Sequence, residues 1–82
     1  MKTVRYTLDA MQDLKRHGNV ANRIRKAIAD YAADPLAHAS NVKALKGSAA
    51  LRMRVGDYRV VFMEDAAGIV VTRVGPRGDV YD

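Results

Sequence analysis

The segment Leu51-Arg52-Met53-Arg54-Val55-Gly56-Asp57-Tyr58-Arg59-Val60-Val61-Phe62 constrains this chain more than any other. Leu51, Met53 and Val55 alternate with Arg52 and Arg54, the period-two pattern of a strand with one buried face. Gly56-Asp57, with glycine first, suits a two-residue type II′ hairpin turn. That turn fixes the register: Arg54 lies opposite Arg59, and Arg52 opposite Val61. Arg52, Arg54 and Arg59 then share one face of two adjacent strands. Like charges directly opposite each other destabilise a sheet, by up to about 1 kcal/mol. Two readings account for the arrangement. One is an anion site, because planar guanidinium forks suit phosphate. The other is a solvated sheet face, common where one side of a sheet is wet.

A chain of 82 residues is expected to be one domain over 1–82. It contains no cysteine, so neither disulfides nor a thiolate zinc site can reinforce a small core. No apolar run approaches the roughly 18–20 residues of a membrane span, and Met1-Lys2-Thr3-Val4-Arg5-Tyr6 lacks a signal-peptide core. The expectation is a cytoplasmic protein with no membrane partner. The net charge is +5. Residues 1–49 hold nine Lys/Arg against four Asp/Glu, whereas residues 50–82 hold five arginines against five acids. The basicity therefore comes from the first half, and the arginine hairpin matters by placement rather than by bulk charge. A basic surface favours nucleic acid through counterion release, although a solvated cationic face gives the same tally.

Lys2 to Thr7 alternates as a short strand. Thr7 can cap a helix from about Leu8 to His17, with Leu8, Met11 and Leu14 as one apolar stripe and Gly18 as its stop. Asn19 can cap a second helix to Ala33, where Val20, Ile24, Ala27, Ile28 and Tyr31 recur at helical spacing. Asp34-Pro35 ends it. Residues 36–48 read as a connector. Three strands follow at about 50–55, 58–64 and 69–74, and Gly75-Pro76-Arg77-Gly78 breaks the last. The order is β-α-α-β-β-β: an α+β fold, an antiparallel sheet with an αα-hairpin packed on one face.

Beyond the hairpin arginines, Arg77 is a candidate for a further phosphate contact, in a Gly-Pro-Arg-Gly loop where backbone amides are expected to be free. The length of the turn at 65–68 leaves the face of Arg73 open. Tyr58 belongs with Val60 and Phe62 on the apolar face. Tyr81 can stack a base, relay a proton or pin the tail. His17 reads as a helix-end cation and His38 as a surface residue. Neither has a partner at metal or acid–base spacing, so no metal site or cofactor is expected. The positives Arg23, Arg25, Lys26, Lys43 and Lys46 form a wet face or lie along a large polyanion such as ribosomal RNA.

Three stretches carry a resemblance: Asn41-Val42-Lys43-Ala44-Leu45-Lys46-Gly47, then residues 51–62, then Val74-Gly75-Pro76-Arg77-Gly78-Asp79-Val80-Tyr81. Together they resemble the RelE branch of the RelE/ParE toxin superfamily, over essentially the whole chain. The resemblance implies the toxin of a type II toxin–antitoxin pair that enters the ribosome and cleaves mRNA. Cleavage uses the RNA 2′-hydroxyl as nucleophile and gives a 2′,3′-cyclic phosphate without metal. By position it implies Arg59, Arg77 and Tyr81 as catalytic residues. Arg52 and Arg54 orient RNA, with Arg23, Lys43 and Lys46 as further RNA contacts. The implied partners are a cognate antitoxin in a hetero-oligomer, the ribosome and mRNA, and operator DNA through the antitoxin. Some members carry lysine at the 52/54 pair and an aromatic residue at position 51. Others have His or Lys where Pro76 stands, or a C-terminal helix beyond the position of Asp82. A ParE-like inhibitor of DNA gyrase that cleaves nothing shares the same fold and hairpin. A decayed toxin that only binds its antitoxin and DNA-bound repressor complexes is the third reading.

Overall fold

The computed structural model describes residues 2–45, 47 and 49–76. Strand β1 (Thr3–Tyr6) leads into helix α1 (Leu8–Arg16) and helix α2 (Gly18–Ala33). A 3-10 helix (Leu36–Asn41) follows, then β2 (Val42–Ala44), β3 (Leu51–Val55), β4 (Tyr58–Glu64) and β5 (Gly68–Pro76). The five strands form one sheet in the order β1-β5-β4-β3-β2. The α+β class and the helical hairpin on one sheet face are as expected. The sheet itself is mixed, because β1 pairs parallel with β5 while the other pairings are antiparallel. The connector also contributes a strand: Val42, Lys43 and Ala44 pair with Met53, Arg52 and Leu51. Three residues are too few to show alternation in sequence.

Thr7 ends β1 and starts α1. Its hydroxyl accepts from the Ala10 amide at 3.1 Å and donates to the Thr72 carbonyl at 3.1 Å. The cap that satisfies the first turn thus also ties α1 to β5. The break between the helices falls at His17 (φ −112°, ψ 49°), so α2 starts at Gly18 with no side-chain cap rather than at Asn19. The His17 ring lies edge-on to Tyr58 with centroids 5.2 Å apart.

The core lies between the helices and one face of the sheet. Ile24, Ile28 and Tyr31 from α2 pack with Met53, Val60, Phe62, Ile69, Val71 and Val74. Tyr58 packs against the same cluster, as its alternation predicts. In α1 the buried face is Ala10, Asp13 and Leu14. Leu8 is 78% exposed and Met11 51% exposed, so the expected Leu8-Met11-Leu14 stripe holds only at Leu14. The reason is Asp13. After Val71 the edge of β5 has no β1 neighbour. The Asp13 carboxylate closes it, accepting from the Val74 amide and from Arg73 Nε, both at 2.9 Å. Turning Asp13 inward rotates Leu8 and Met11 out.

Candidate functional site

The hairpin register is the one the turn dictates. Arg54 pairs with Arg59, Arg52 with Val61 and Val55 with Tyr58. Gly56 sits at φ +60°, the left-handed conformation that the first position of a primed turn requires. Met53, Val60 and Phe62 point into the core, so Arg52, Arg54 and Arg59 share the face turned away from α1 and α2. A small apolar patch of Leu45, Ala50 and Val61 lies on that face beside them.

These three arginines line a cavity of about 160 Å³ with Lys43, Ser40 and Asn41. β2 supplies Lys43 because Lys43 pairs with Arg52 across the ladder. The 3-10 helix supplies Ser40 and Asn41, which the sequence reading placed in an undifferentiated connector. Their only signal is polarity just before an apolar-bounded strand.

Arg59 sets the electrostatics of this cavity. It is 8% exposed, and its Nη1 is buried with no hydrogen-bond partner among the described residues. Among the described residues no carboxylate pairs with it, and a buried donor left unsatisfied costs about 1–3 kcal/mol. Arg54 sits directly across the ladder from it and adds repulsion. An anion in the cavity would offset that repulsion.

Several other charged residues are engaged elsewhere. Arg73, whose face was open in sequence, bonds Asp13 and does not line the cavity. Burial alone would push the Asp13 carboxyl up. The bonds from Arg73 and the Val74 amide, with the charges of Arg73 and Arg16, outweigh it and hold Asp13 below the usual carboxylate range. Glu64 accepts from Lys2 at 2.7 Å and from the Tyr31 hydroxyl at 2.6 Å, a clasp joining β4 to α2 and the start of β1. Burial and that bond push the Tyr31 phenol up to about 12. Lys26 pairs with Asp30 at 2.8 Å, and Arg25 lies 5.0 Å from the Tyr6 ring centroid.

Of the residues expected at the site, Arg52, Arg54, Arg59 and Lys43 come together. Arg23 does not: its guanidinium lies against Gly56 at the hairpin tip, outside the cavity lining. Lys46, Arg77 and Tyr81 lie outside the described residues. No described helix is long and apolar enough to cross a membrane.

Comparison with known proteins finds the same fold elsewhere. A toxin–antitoxin complex, RelBE2, from Mycobacterium tuberculosis superposes with a TM-score of 0.65 at 28% identity, covering 93% of this chain and 98% of that one. The RelB–RelE antitoxin–toxin complex from Methanococcus jannaschii gives a TM-score of 0.65 at 26% identity, with 89% of each chain covered. The archaeal RelE–RelB complex from Pyrococcus horikoshii shares the fold, with a TM-score of 0.75 at 21% identity over 95% of this chain and 97% of that one. Comparison with curated protein sequences gives no significant match. Residues 4–81 match the family described as the ParE toxin of the type II toxin–antitoxin system parDE. The expected superfamily is therefore met from both of its named branches, ParE by sequence family and RelE by structure. This chain belongs to the ParE toxin family within the RelE/ParE superfamily, and it is the toxin of a type II toxin–antitoxin system.

Proposed function

We propose that this toxin is an mRNA interferase that binds RNA phosphate in the arginine cavity and cleaves messages at the ribosome. The observation that carries the reading is Arg59, which lines a cavity with Arg52, Arg54 and Lys43 and whose Nη1 is buried without a hydrogen-bond partner among the described residues. In the proposed reaction the RNA 2′-oxygen attacks the adjacent phosphorus and the 5′-oxygen leaves. The products are a 2′,3′-cyclic phosphate and a 5′-hydroxyl. The 2′-hydroxyl proton is lost as the P–O bond forms, and the leaving oxygen gains one. The phosphorane-like state carries more negative charge than the ground state, so fixed guanidinium donors stabilise it preferentially. Arg59 is assigned to the scissile phosphate, and Arg52, Arg54 and Lys43 to the flanking backbone. By family resemblance Arg77 joins Arg59 on the phosphate, and Tyr81 stacks on a base or assists proton transfer. Lys46 and Arg23 are left as peripheral RNA contacts. Neutralisation is assigned to a cognate antitoxin in a hetero-oligomer that reaches operator DNA through the antitoxin. The solved relatives that are antitoxin–toxin complexes support this partner. A ribosomal target implies a cytoplasmic site of action.

Induced expression without antitoxin is expected to arrest growth with cleaved messages, read by primer extension. Arg59→Ala should lower cleavage by about 10²-fold or more, the usual loss when one transition-state donor is removed. Arg77→Ala is expected to act in the same direction. Arrest with intact messages would reject the nuclease. The ParE description of the family favours a second reading, a gyrase inhibitor that cleaves nothing. A supercoiling assay with purified toxin separates the two, because only the second predicts gyrase inhibition.

A further inference from the structure

A second cavity, of about 140 Å³, adjoins the arginine cavity and differs from it in chemistry. Asn41 and Arg54 line both. The second cavity opens between α2, the 3-10 helix and β3. It lies where β3 runs on past Met53, the last residue paired to β2. Its floor is apolar: Ala27 from α2, with Met53 and Val55 from β3. Met53 is fully buried and the other two are half-buried. Its rim is polar, formed by half-buried His38 and Asp30 with Asn41.

We propose that this second cavity holds the nucleobase next to the phosphate seated at Arg59, with His38, Asn41 and Asp30 as its recognition residues. The inference rests on the arginine cavity being an RNA site. Three observations carry it. A nucleobase is a flat apolar body with a polar edge, and this cavity has an apolar floor with a polar rim. Single-stranded RNA is read by splaying bases onto aromatic rings, imidazole included, and by bonding their edges. A base is tied covalently to its phosphate, so its site must abut the phosphate site, and the shared Asn41 and Arg54 make the two cavities neighbours.

The rim also predicts a preference. Asn41 offers one donor group and one acceptor, so by itself it accommodates several bases. Asp30 is ionised and accepts only. Lys26 engages its Oδ2, which leaves Oδ1 as the oxygen to accept a bond. A carboxylate acceptor selects a base carrying an exocyclic amino group, such as cytosine, and uracil has none.

The test uses binding rather than cleavage. Three 2′-O-methyl RNA trinucleotides are compared by fluorescence anisotropy: all cytosine, all uracil, and one abasic at its central position. The 2′-O-methyl group removes the nucleophile, so nothing is cut. The wild-type protein is expected to bind the cytosine oligomer about tenfold more tightly than the abasic one, a value in the range for stacking one base. The uracil oligomer should fall between them. His38→Ala should reduce the cytosine-over-abasic ratio to about two. Asp30→Asn should erase the preference for cytosine over uracil. Circular dichroism checks that each variant is folded. Equal binding of cytosine and abasic oligomers by wild type, with Arg59→Ala weakening both, overturns the base site and leaves the phosphate site standing. Binding insensitive to Arg59→Ala, or no binding of any oligomer, overturns both.

Discussion

At the scale of single residues, Asp13 shows how a polar group can be more useful in a small core than another apolar one. Its carboxylate is 4% exposed and takes the place of a strand, capping the Val74 amide where β1 no longer reaches. Asp13→Ala leaves that amide buried and unsatisfied, a loss of about 1–3 kcal/mol. The variant should lower the urea midpoint at pH 7 accordingly. The folded-state pKa of Asp13 is depressed, so its contribution is fully present above the unfolded value of about 3.9 and fades as pH falls through the lower folded value. Glu64 is depressed too: the bonds from Lys2 and Tyr31 outweigh the burial that would raise it. The wild-type protein should therefore lose stability on acidification below about pH 4, and Asp13→Asn should flatten part of that limb. Tyr31 works at the other end of the scale. Its folded-state pKa is raised to about 12, so what it adds is present below its ordinary value of 10 and lost as pH rises toward about 12. Tyr31→Phe should remove that alkaline loss. Urea titrations across the pH range read all of these effects.

At the scale of elements, the α1 cap does two jobs, and a substitution can test them together. Thr7→Ala removes the acceptor for Ala10 and the donor to Thr72. It should cost about 1–2 kcal/mol in urea unfolding, the upper part of the range for a lost cap, and Thr7→Ser should recover most of it. The elements also differ in how far the sequence displays them. α2 was legible because its apolar residues at helical spacing are the ones that pack. α1 was misread at its buried face because Asp13 answers a need of β5 that lies far away in sequence. The strand β2 escaped notice because three residues carry no period. The face of Arg73 was unreadable for a specific reason. Phe62 pairs with Val71 and Val61 with Arg73, so Thr72 is an extra residue in β5. That bulge shifts the alternation, puts both Val71 and Val74 in the core, and frees Arg73 to meet Asp13. A bulge is a property of two strands together. By contrast, the arginine cavity was largely legible, because a two-residue turn fixes register and register fixes face. Ser40 and Asn41 were missed because the 3-10 helix brings them in by tertiary contact alone.

At the scale of the molecule, the sheet separates two chemistries, an apolar core under the helices and a cationic cavity on the open face. The net charge of +5 is carried by the first half of the chain, yet among the described residues of that half only Lys43 lines the cavity as a cation. Lys2 and Lys26 are spent on ion pairs and Arg25 on an aromatic face. Two modes of RNA binding then predict different salt dependence. Loose binding to the whole basic surface engages several phosphates and gives a steep slope of log affinity against log salt, about −0.7 for each phosphate on a single strand. Binding confined to a cavity of about 160 Å³ engages one or two phosphates, for a slope of about −0.7 to −1.4. The cavity mode also predicts that Arg59→Ala lowers affinity and flattens the slope by about one phosphate. Lys15→Ala, which removes an exposed cation of the helical face, should leave the slope alone. Anisotropy titrations of a short 2′-O-methyl RNA between low and moderate salt measure both quantities. A steep slope that survives Arg59→Ala would show that the surface, rather than the buried arginine, does the binding.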